Sequence, residues 1–466
     1  MIVWGESPTQ KGFVMNLLSV SERTKSIEKI AISNMKQAFF EICNTLLALK
    51  LLLFYELGPV LNMVNYNIRI TEDVAVTVIR FLLKDSDSIK IPDSLLKDAI
   101  ERLRYLPQLQ IDLEQGFKDG QLFVNVGNGI YDILHKQLIH SREGVNFDYI
   151  CGFNYIPGAK ISDAPHFKHF VETSVGIDNY NCLMRILGYC ISSLTKGRKA
   201  FLLLGKGRTG KSTLLNLLES IFDADLISHQ PFHIMGSEKS RWHYNGKRIN
   251  ISRDNSNRPM KDEEGFKSLI SCEETVGREV YQRYIHYTPT LKFIFASNWP
   301  LCFAHPDDAV IDRLLVIRFT REIPEEHLDP ELEDKLKSEK DIIFSLALDT
   351  LKDLIESKYD FCMSDDSKEY IRHQRLQIHS TQDFLADETV LDENGSVSSE
   401  KLFAAYNEYC RINAITSLGR NTFLEQVRNY TTAVSYTKVY SNGKRVNGFN
   451  GIRFIKSRER EVQNDN

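Results

Sequence analysis

The chain has 466 residues and a mass of 53.7 kDa, enough for roughly two to four domains of ordinary size. Hydrophobic residues make up 42% and charged residues 26%, a globular composition that excludes a long disordered chain. The formal net charge of −4 and the sequence pI of about 6.3 give no sign of a nucleic-acid-binding protein at the level of the whole chain.

The N-terminal residues and the cysteines favour a cytoplasmic protein. The first residues lack a basic segment followed by an apolar run, so we expect no secretory signal. The cysteines are scattered without close pairs, which argues against a zinc knuckle or a redox pair. The most apolar stretch, residues 46–57, includes Lys50 and Glu56 and is too short to span a membrane, so we predict a buried helix there.

The first two hundred residues contain mainly helical patterns. Apolar spacing predicts helix over residues 15–64, and again from Asp93 to Tyr105 after Pro92. Residues 121–134 alternate and contain Asn128-Gly129, which predicts two short strands around a type I′ turn. Helical periodicity returns over residues 165–196.

The middle of the chain has the pattern of an α/β domain. Phe201–Leu204 is a short continuous apolar run, typical of a strand buried on both faces. From there to about residue 320, short apolar runs alternate with helical stretches.

Charge is distributed unevenly over the rest of the chain. Residues 321–400 contain 22 Asp and Glu against 9 Lys and Arg, and we predict a linker at 363–380. Residues 411–456 contain eight Lys and Arg and one acid. There we predict two helices, 398–411 and 418–430, and a hairpin around 441–444, before a disordered tail.

A glycine-rich loop follows the predicted strand at 201–204. Residues 205–212 fit the pattern G-x-x-x-x-G-K-[ST], in which backbone N–H groups face phosphate oxygens. We expect Lys211 to contact the β and γ phosphates and Ser212 to bind Mg²⁺. The predicted nucleotide-binding residues are Gly205, Gly207, Arg208, Thr209, Gly210, Lys211, Ser212 and Thr213.

Hydrolysis of a nucleoside triphosphate also needs an acid, a water-aligning group and a cation. Asp254 is our candidate for binding Mg²⁺ and polarising water; the alternative is a loop aspartate that caps a turn. Asn298 ends a predicted strand and could align water, or it could simply form a turn before Pro300. Arg313 could reach the nucleotide of a neighbouring subunit, or pair with a nearby aspartate of its own chain.

Together these residues resemble the superfamily 3 helicases, most closely the primase-helicase group of phages, plasmids and poxviruses. An N-G-[IV]-x-D element of that group is matched at 128–132, and a Y-x-P-x-A element at 155–159 is followed by Phe167. A G-Y pair is matched by Gly188-Tyr189. The resemblance covers about residues 105–456.

The resemblance implies an α/β fold with an AAA+ P-loop ATPase core of the superfamily 3 type, assembled as a homo-hexamer that uses ATP and Mg²⁺. It implies a mainly helical N-terminal region and a C-terminal winged-helix domain. The expected divisions are a helical region 1–104, a pre-helicase region 105–196, an ATPase 197–362, a linker 363–380, a winged helix 381–456 and a disordered tail 457–466.

The chain departs from the family pattern at two places. Where the family has L-K-x-L-T-G-G-D, this chain has Phe266–Glu273 without the glycines. The acid position is Asp254 preceded by Arg253, where the family often has Glu, which leaves open which group polarises the water.

Two segments are candidates for DNA binding. The family's DNA-gripping hairpin corresponds to residues 278–286, where Arg278, Arg283, Tyr284 and His286 offer charge and stacking; the alternative is a solvated β-ribbon. In the C-terminal block, a helix and a basic wing would bind duplex DNA, or would serve protein contacts. The candidate contacts there are Arg420, Asn421, Lys444 and Arg445.

The resemblance implies an ATP-dependent 3′–5′ DNA helicase in the bacterial host cytoplasm, acting in replication of a phage, plasmid or mobile element and binding its origin. Expected partners are single-stranded and duplex DNA and other copies of the chain, with room for a separate primase or other replication proteins and no membrane. The alternative is an AAA+ loader or remodeller that acts on proteins. A priming activity is not expected, because it needs a separate nucleotidyl-transfer domain with paired carboxylates, and the first hundred residues are predicted to be mainly helical.

Overall fold

The structure is a computed structural model of the chain. It describes most of residues 91–455 and, before them, short stretches between 39 and 80. Within 91–455 the residues not described are 107–108, 110–116, 119–120, 141–146, 254, 256–257, 279–283, 305, 325, 327, 414 and 442. The predicted helix over residues 15–38 and the predicted tail at 457–466 lie outside the described residues.

The described strands, β1 to β17 in chain order, are Leu52–Tyr55, Gly58–Asn62, Asn67–Arg69, Phe117–Lys118, Gln121–Val126, Gly129–Asp132, Gln137–Ile139, Ala200–Gly205, Ile227–Ser228, Ile249–Ser252, Thr275–Gly277, Ile285–Tyr287, Lys292–Ser297, Leu314–Phe319, Thr389–Ser398, Ser435–Ser441 and Lys444–Phe454. The described α-helices, α1 to α13, are Asp93–Leu103, Pro165–Phe170, Tyr180–Ile191, Lys211–Glu219, Glu238–Trp242, Glu263–Ile270, Asp308–Asp312, Leu332–Ser338, Lys340–Asp349, Leu351–Glu356, Asp365–Glu388, Ser399–Ile412 and Arg420–Arg428.

The described residues fall into two compact units. The larger unit comprises residues up to 304 together with 313–363, and the C-terminal unit comprises 305–312 together with residues from 364 onward. Each unit has its own buried apolar core.

A five-stranded parallel sheet forms the centre of the larger unit. Its strand order is β14-β8-β13-β10-β9, and β8 lies between two parallel neighbours, with Leu202 opposite Phe295 on one side and Val316 on the other. The apolar run at 201–204 is buried, as predicted for a strand covered on both faces. The fold is therefore mixed α/β.

The predicted strand pair before the sheet is confirmed, with a difference in its turn. Strands β5 and β6 pair antiparallel, and Val126 lies opposite Gly129. The turn therefore consists of Gly127 and Asn128, and neither has a positive φ. The prediction of a type I′ turn at Asn128-Gly129 is wrong, because Gly129 already belongs to β6.

The predicted helix over residues 15–64 is confirmed only in part: the described residues at 39, 42–44 and 46 are helical, but the prediction is wrong from residue 52 onward. Strands β1, β2 and β3 form a three-stranded antiparallel sheet. A short apolar run is compatible with a strand as well as with a buried helix, and apolar spacing alone does not separate them. The second predicted helix is confirmed: α1 starts after Pro92 and buries Leu96 and Ile100 among others.

The C-terminal unit combines helices α11, α12 and α13 with the antiparallel sheet β15-β17-β16. The two predicted helices and the hairpin are confirmed, since Ser441 lies opposite Lys444. The predicted linker at 363–380 is wrong, because α11 occupies Asp365–Glu388. Its mostly polar sequence buries few side chains, including Ile371 and Phe384, which is why its spacing does not stand out.

Among the described residues, no helix has both the length and the apolar character that a membrane span requires.

A cation stands at the amino end of each of the four longer strands of the parallel sheet. Lys199, Arg248 and Arg313 directly precede their strands, and Lys292 is the first residue of β13. Lys292 is buried; its Nζ donates to the carbonyl oxygen of Thr290 at 2.7 Å and lies 4.9 Å from the centre of the Tyr189 ring. Burial lowers the pKa of Lys292 from 10.5 to about 8.

This shift makes folding depend on pH. Because the folded-state pKa is below the ordinary value, the unfolded chain binds more protons between about pH 8 and 10.5, so Lys292 makes stability rise with pH in that window. Relative to Lys292→Met, the wild type should gain stability above pH 8 with a slope approaching about 1.4 kcal/mol per pH unit. Urea unfolding of both proteins from pH 7 to 9.5 measures the difference.

Lys168→Met, which changes an exposed lysine, is the control and should leave the pH dependence of stability unchanged. Parallel stability curves for wild type and Lys292→Met would contradict the burial argument.

Candidate functional site

A cavity of about 1030 Å³ opens at the carboxyl ends of the parallel strands. Its walls include the glycine-rich loop after β8, Arg253 after β10, Asn298 after β13 and Arg321 after β14. Parallel pairing brings these chain positions to one edge of the sheet, where ligands of open α/β sheets bind.

The glycine-rich loop needs glycine at both ends of its motif. Gly210 has a φ of 92° at the start of α4, and a Cβ there would lie 2.7 Å from a ring carbon of Phe170. A Cβ on Gly205 would collide with the carbonyl oxygen of Phe319 on β14. At Gly207, by contrast, a Cβ would meet nothing within 4 Å. The two outer glycines are thus required by close packing, and the middle one is not.

Lys211 is buried at the first position of α4 and folds back over the loop. Its Nζ donates to the carbonyl oxygens of Gly205, at 2.6 Å, and of Lys206. An ammonium in this position lies at the floor of the cavity, next to the N-terminus of a helix that favours anions.

The polar residues predicted at the strand ends have different outcomes. Asn298 follows β13 directly, is exposed and lines the cavity. Asp254 lies outside the described residues. Its neighbour Arg253 lines the cavity, and the Arg253 guanidinium lies 2.6 Å from Oε2 of Glu219 at the end of α4. Ser212 and Thr213 also line the cavity.

One wall of the cavity comes from residues before the loop. Helix α2 continues into a π-helical turn, Val171–Val175, and Phe170, Thr173 and Ser174 all line the cavity. The Ser174 Oγ is buried and has no hydrogen-bond partner among the described residues. Single π-helical turns are frequent at functional sites.

The opposite wall comes from the segment after β14. The Arg321 guanidinium donates to the carbonyl oxygen of Glu172, which links this segment to the π-helical turn. Glu333 on α8 accepts from Asn216 of α4 at 2.6 Å and pairs with Lys337 at 2.6 Å. These hydrogen bonds hold the pKa of Glu333 below its ordinary value, so the carboxylate stays ionised.

Arg313 lies at the other edge of the sheet. It precedes β14, and its Nη2 donates to Oγ of Ser271 at 2.9 Å. Of the nearby aspartates, Asp312 pairs with Arg375, and Asp308 with His379 at 3.0 Å. A strand of this length spans about 17 Å, so Arg313 does not line the cavity of its own chain.

The residues that carry the resemblance before the loop make structural contacts. Asn128 exchanges two hydrogen bonds of 2.9 Å with the backbone of Tyr155. The hydroxyls of Tyr131 and Tyr155 both donate to Oδ1 of Asp349 on α9, at 2.8 and 2.9 Å. Gly188 on α3 leaves room for the carbonyl oxygen of Ala347, which lies on α9. These residues fasten segment 121–191 to α9.

The hairpin predicted to grip DNA is present in its described part. Strands β11 and β12 pair antiparallel, and the Arg278 guanidinium lies 4.7 Å from the ring centre of Tyr284. His286 is exposed and lies 3.8 Å from a carboxylate oxygen of Glu274. Arg283 lies outside the described residues.

The C-terminal candidates are all exposed. Arg420 and Asn421 form the first turn of α13, while Lys444 and Arg445 start β17 at the hairpin tip. Two pairs of exposed polar side chains thus lie on separate elements of the C-terminal unit.

Sequence reasoning missed the residues that close the cavity. The missed residues are Phe170, Ser174, Arg253, Arg321 and Glu333. Arg253 could have been found, because it is adjacent to the predicted acid. The others are far in sequence from the glycine-rich loop, and only long-range packing brings them to it.

Comparison with known proteins adds a fold relationship. A family model described as a family of unknown function, DUF5906, matches residues 203–313. No curated protein matches the chain.

Two solved structures of one protein are similar to the chain. The A-form apo structure of the NrS-1 C-terminal region has 14% identity and a TM-score of 0.50, over 88% of this chain and 98% of that chain. A second apo structure of the region has 14% identity and a TM-score of 0.49 over the same shares. At this identity the likeness concerns the fold alone.

The packing around Gly210 gives a direct test of the cavity. Gly210→Ala should weaken the nucleotide binding predicted for this loop by roughly tenfold or more, because the new Cβ would lie against Phe170 and an alanine at positive φ is strained. Gly207→Ala, whose Cβ would meet open space, should weaken it far less. Titration with a fluorescent ATP analogue compares the two variants, and equal losses would contradict the packing argument.

Proposed function

We propose that this protein is an ATP-dependent 3′–5′ DNA helicase of the superfamily 3 type that acts in the replication of a phage, plasmid or mobile element. In this proposal the larger unit holds an AAA+ P-loop ATPase that uses ATP and Mg²⁺ and assembles as a homo-hexamer. The C-terminal unit is a winged-helix domain that binds duplex DNA, including the origin.

The observation that carries the proposal is the cavity at the carboxyl edge of the parallel sheet. A glycine-rich loop, a buried lysine and a helix N-terminus meet there with Asn298 and two arginines. This set suits a polyphosphate: the loop and Lys211 would hold the β and γ phosphates, and Ser212 with Asp254 would hold Mg²⁺. Asn298 would align the attacking water.

The position of Arg313 supports action between subunits. It lies at the edge opposite to the cavity, so it could act only on the nucleotide of a neighbour. A cation supplied by another subunit would stabilise charge on the transferred phosphoryl group.

The order of elements in the C-terminal unit supports a winged helix. Helix, strand, two helices and a two-stranded hairpin follow one another from α11 to β17, and the hairpin closes on β15. In such a domain α13 would enter the major groove and the hairpin would contact phosphates. Arg278, Arg283, Tyr284 and His286 would grip single-stranded DNA in the ring.

Unwinding of forked DNA tests the proposal. The wild type with ATP and Mg²⁺ should displace a strand from a fork with a 3′ tail, but not from one with only a 5′ tail. Lys211→Ala should lose both hydrolysis and unwinding, because the phosphate contact is gone. ATP hydrolysis that DNA does not stimulate, with no unwinding, would reject the helicase and favour a remodeller of proteins.

Mixing two inactive variants tests the role of Arg313 between subunits. Arg313→Ala should bind nucleotide and assemble but hydrolyse ATP at least a hundredfold more slowly. Added Lys211→Ala subunits should restore part of the activity, since they supply Arg313 to intact loops. Ser271→Ala, which removes only the hydrogen bond to Arg313, is the milder control. No recovery in rings shown to contain both variants would contradict the role.

A further inference from the structure

The hairpin of the C-terminal unit has an exposed tyrosine near its tip. Tyr440 is 77% exposed, more than any other large hydrophobic side chain of the described residues. Tyr436, four residues earlier on the same strand, is only 37% exposed, because its ring packs against Phe449 and under the guanidinium of Arg428. The fold thus covers one tyrosine of β16 and leaves the other in solvent.

The strand register places cations around Tyr440. Tyr440 lies opposite Arg445 and Lys438 opposite Asn447. Since side chains alternate between the faces of a strand, Lys438, Tyr440 and Arg445 share one face, and directly opposed side chains lie about 5 Å apart at Cβ. All three are exposed.

The charge of the hairpin identifies the kind of partner. Residues 435–454 contain no Asp or Glu and four cations; Arg453 pairs with Asp392 of β15 at 2.7 Å, whereas Lys438, Lys444 and Arg445 are exposed. A cationic surface without acids suits a phosphate backbone, and an aromatic ring between cations is the usual arrangement for binding nucleic-acid strands with unpaired bases. The hairpin complements a phosphate backbone and offers a ring face to a base.

Tyr440 also lies away from the contact between the hairpin and the helix proposed to read the duplex. Arg428, at the end of α13, contacts the hairpin at Tyr436. Tyr440 lies four positions further along the strand, which places it about 13 Å from Tyr436.

We infer that Tyr440 is a stacking site for an unpaired base, with Lys438 and Arg445 holding the adjoining phosphates. The inference rests on the proposed DNA-binding role of the C-terminal unit and adds to it a preference for DNA with unpaired bases beside duplex.

Binding of three labelled DNAs by the full chain, without nucleotide, tests the inference. The DNAs are a fork, the same sequence as full duplex, and a fork whose unpaired arms are abasic. Tyr440→Ala should weaken binding to the normal fork roughly five- to a hundredfold and change duplex binding less than twofold. Tyr440→Phe, which keeps the ring, should bind like the wild type. On the abasic fork, which offers no base to stack, the wild type and Tyr440→Ala should bind equally weakly.

Photo-crosslinking separates this site from other DNA contacts in the chain. A fork with 5-iodouracil in its unpaired arm should crosslink to the tryptic peptide of residues 439–444, and Tyr440→Ala should abolish that crosslink. Equal binding of wild type and Tyr440→Ala to all three DNAs, with crosslinks only to other peptides, would overturn the inference. An equal loss on fork and duplex would overturn it as well.

These outcomes can be told apart from failure of the helicase proposal. If Tyr440→Ala binds the three DNAs like the wild type and wild-type unwinding is intact, only the stacking site is wrong. If the wild type never unwinds DNA but crosslinks through Tyr440, the helicase proposal fails and the stacking site stands.

Discussion

Parallel pairing of four strands is the constraint on which the candidate site depends. Strands that start at residues 200, 249, 292 and 314 run side by side, so their ends fall at common edges although the chain between them is long. The glycine-rich loop, Asn298 and the two arginines that line the cavity lie at the carboxyl edge of the sheet. The cations that precede or begin the strands lie at the amino edge. These two sets of residues lie at opposite edges of the sheet because the strands all run in the same direction, whatever contacts the side chains make.

The sheet alone does not make a closed cavity. The missing wall is segment 165–175, and it is held in place by contacts with helices that come after the sheet in sequence. Asp349 accepts from two tyrosines, and Glu339 accepts the backbone N–H groups of His166 and Phe167. Two buried or half-buried carboxylates therefore connect segments that precede the parallel sheet in sequence to a helix that follows it.

Much of the centre of the larger unit could be predicted from sequence, because its signals are local. A continuous apolar run, a glycine pattern and a strand ending in Asn298 each specify their own structure within a few residues. The walls could not be predicted, since Ser174 and Arg321 reach the loop only through tertiary packing. The strands at 52–69 differ from the predicted helix because their apolar spacing is ambiguous. Helix α11 differs from the predicted linker because its apolar spacing is nearly absent. The positions of Asp254 and Arg283 and the roles of all the site residues remain predictions.

The buried core of the larger unit contains residues from before and after the parallel sheet, which limits where this chain can be divided. The family match covers residues 203–313, which includes the loop, Asn298 and Arg313 but neither segment 165–175 nor α8. A fragment cut at those limits would keep every residue predicted to contact nucleotide or Mg²⁺ but would lose Phe170, Ser174, Arg321 and Glu333 from the cavity. It would also expose the apolar faces that α3 and α9 cover. The smallest piece able to enclose a ligand is therefore much longer than the stretch that carries the motifs.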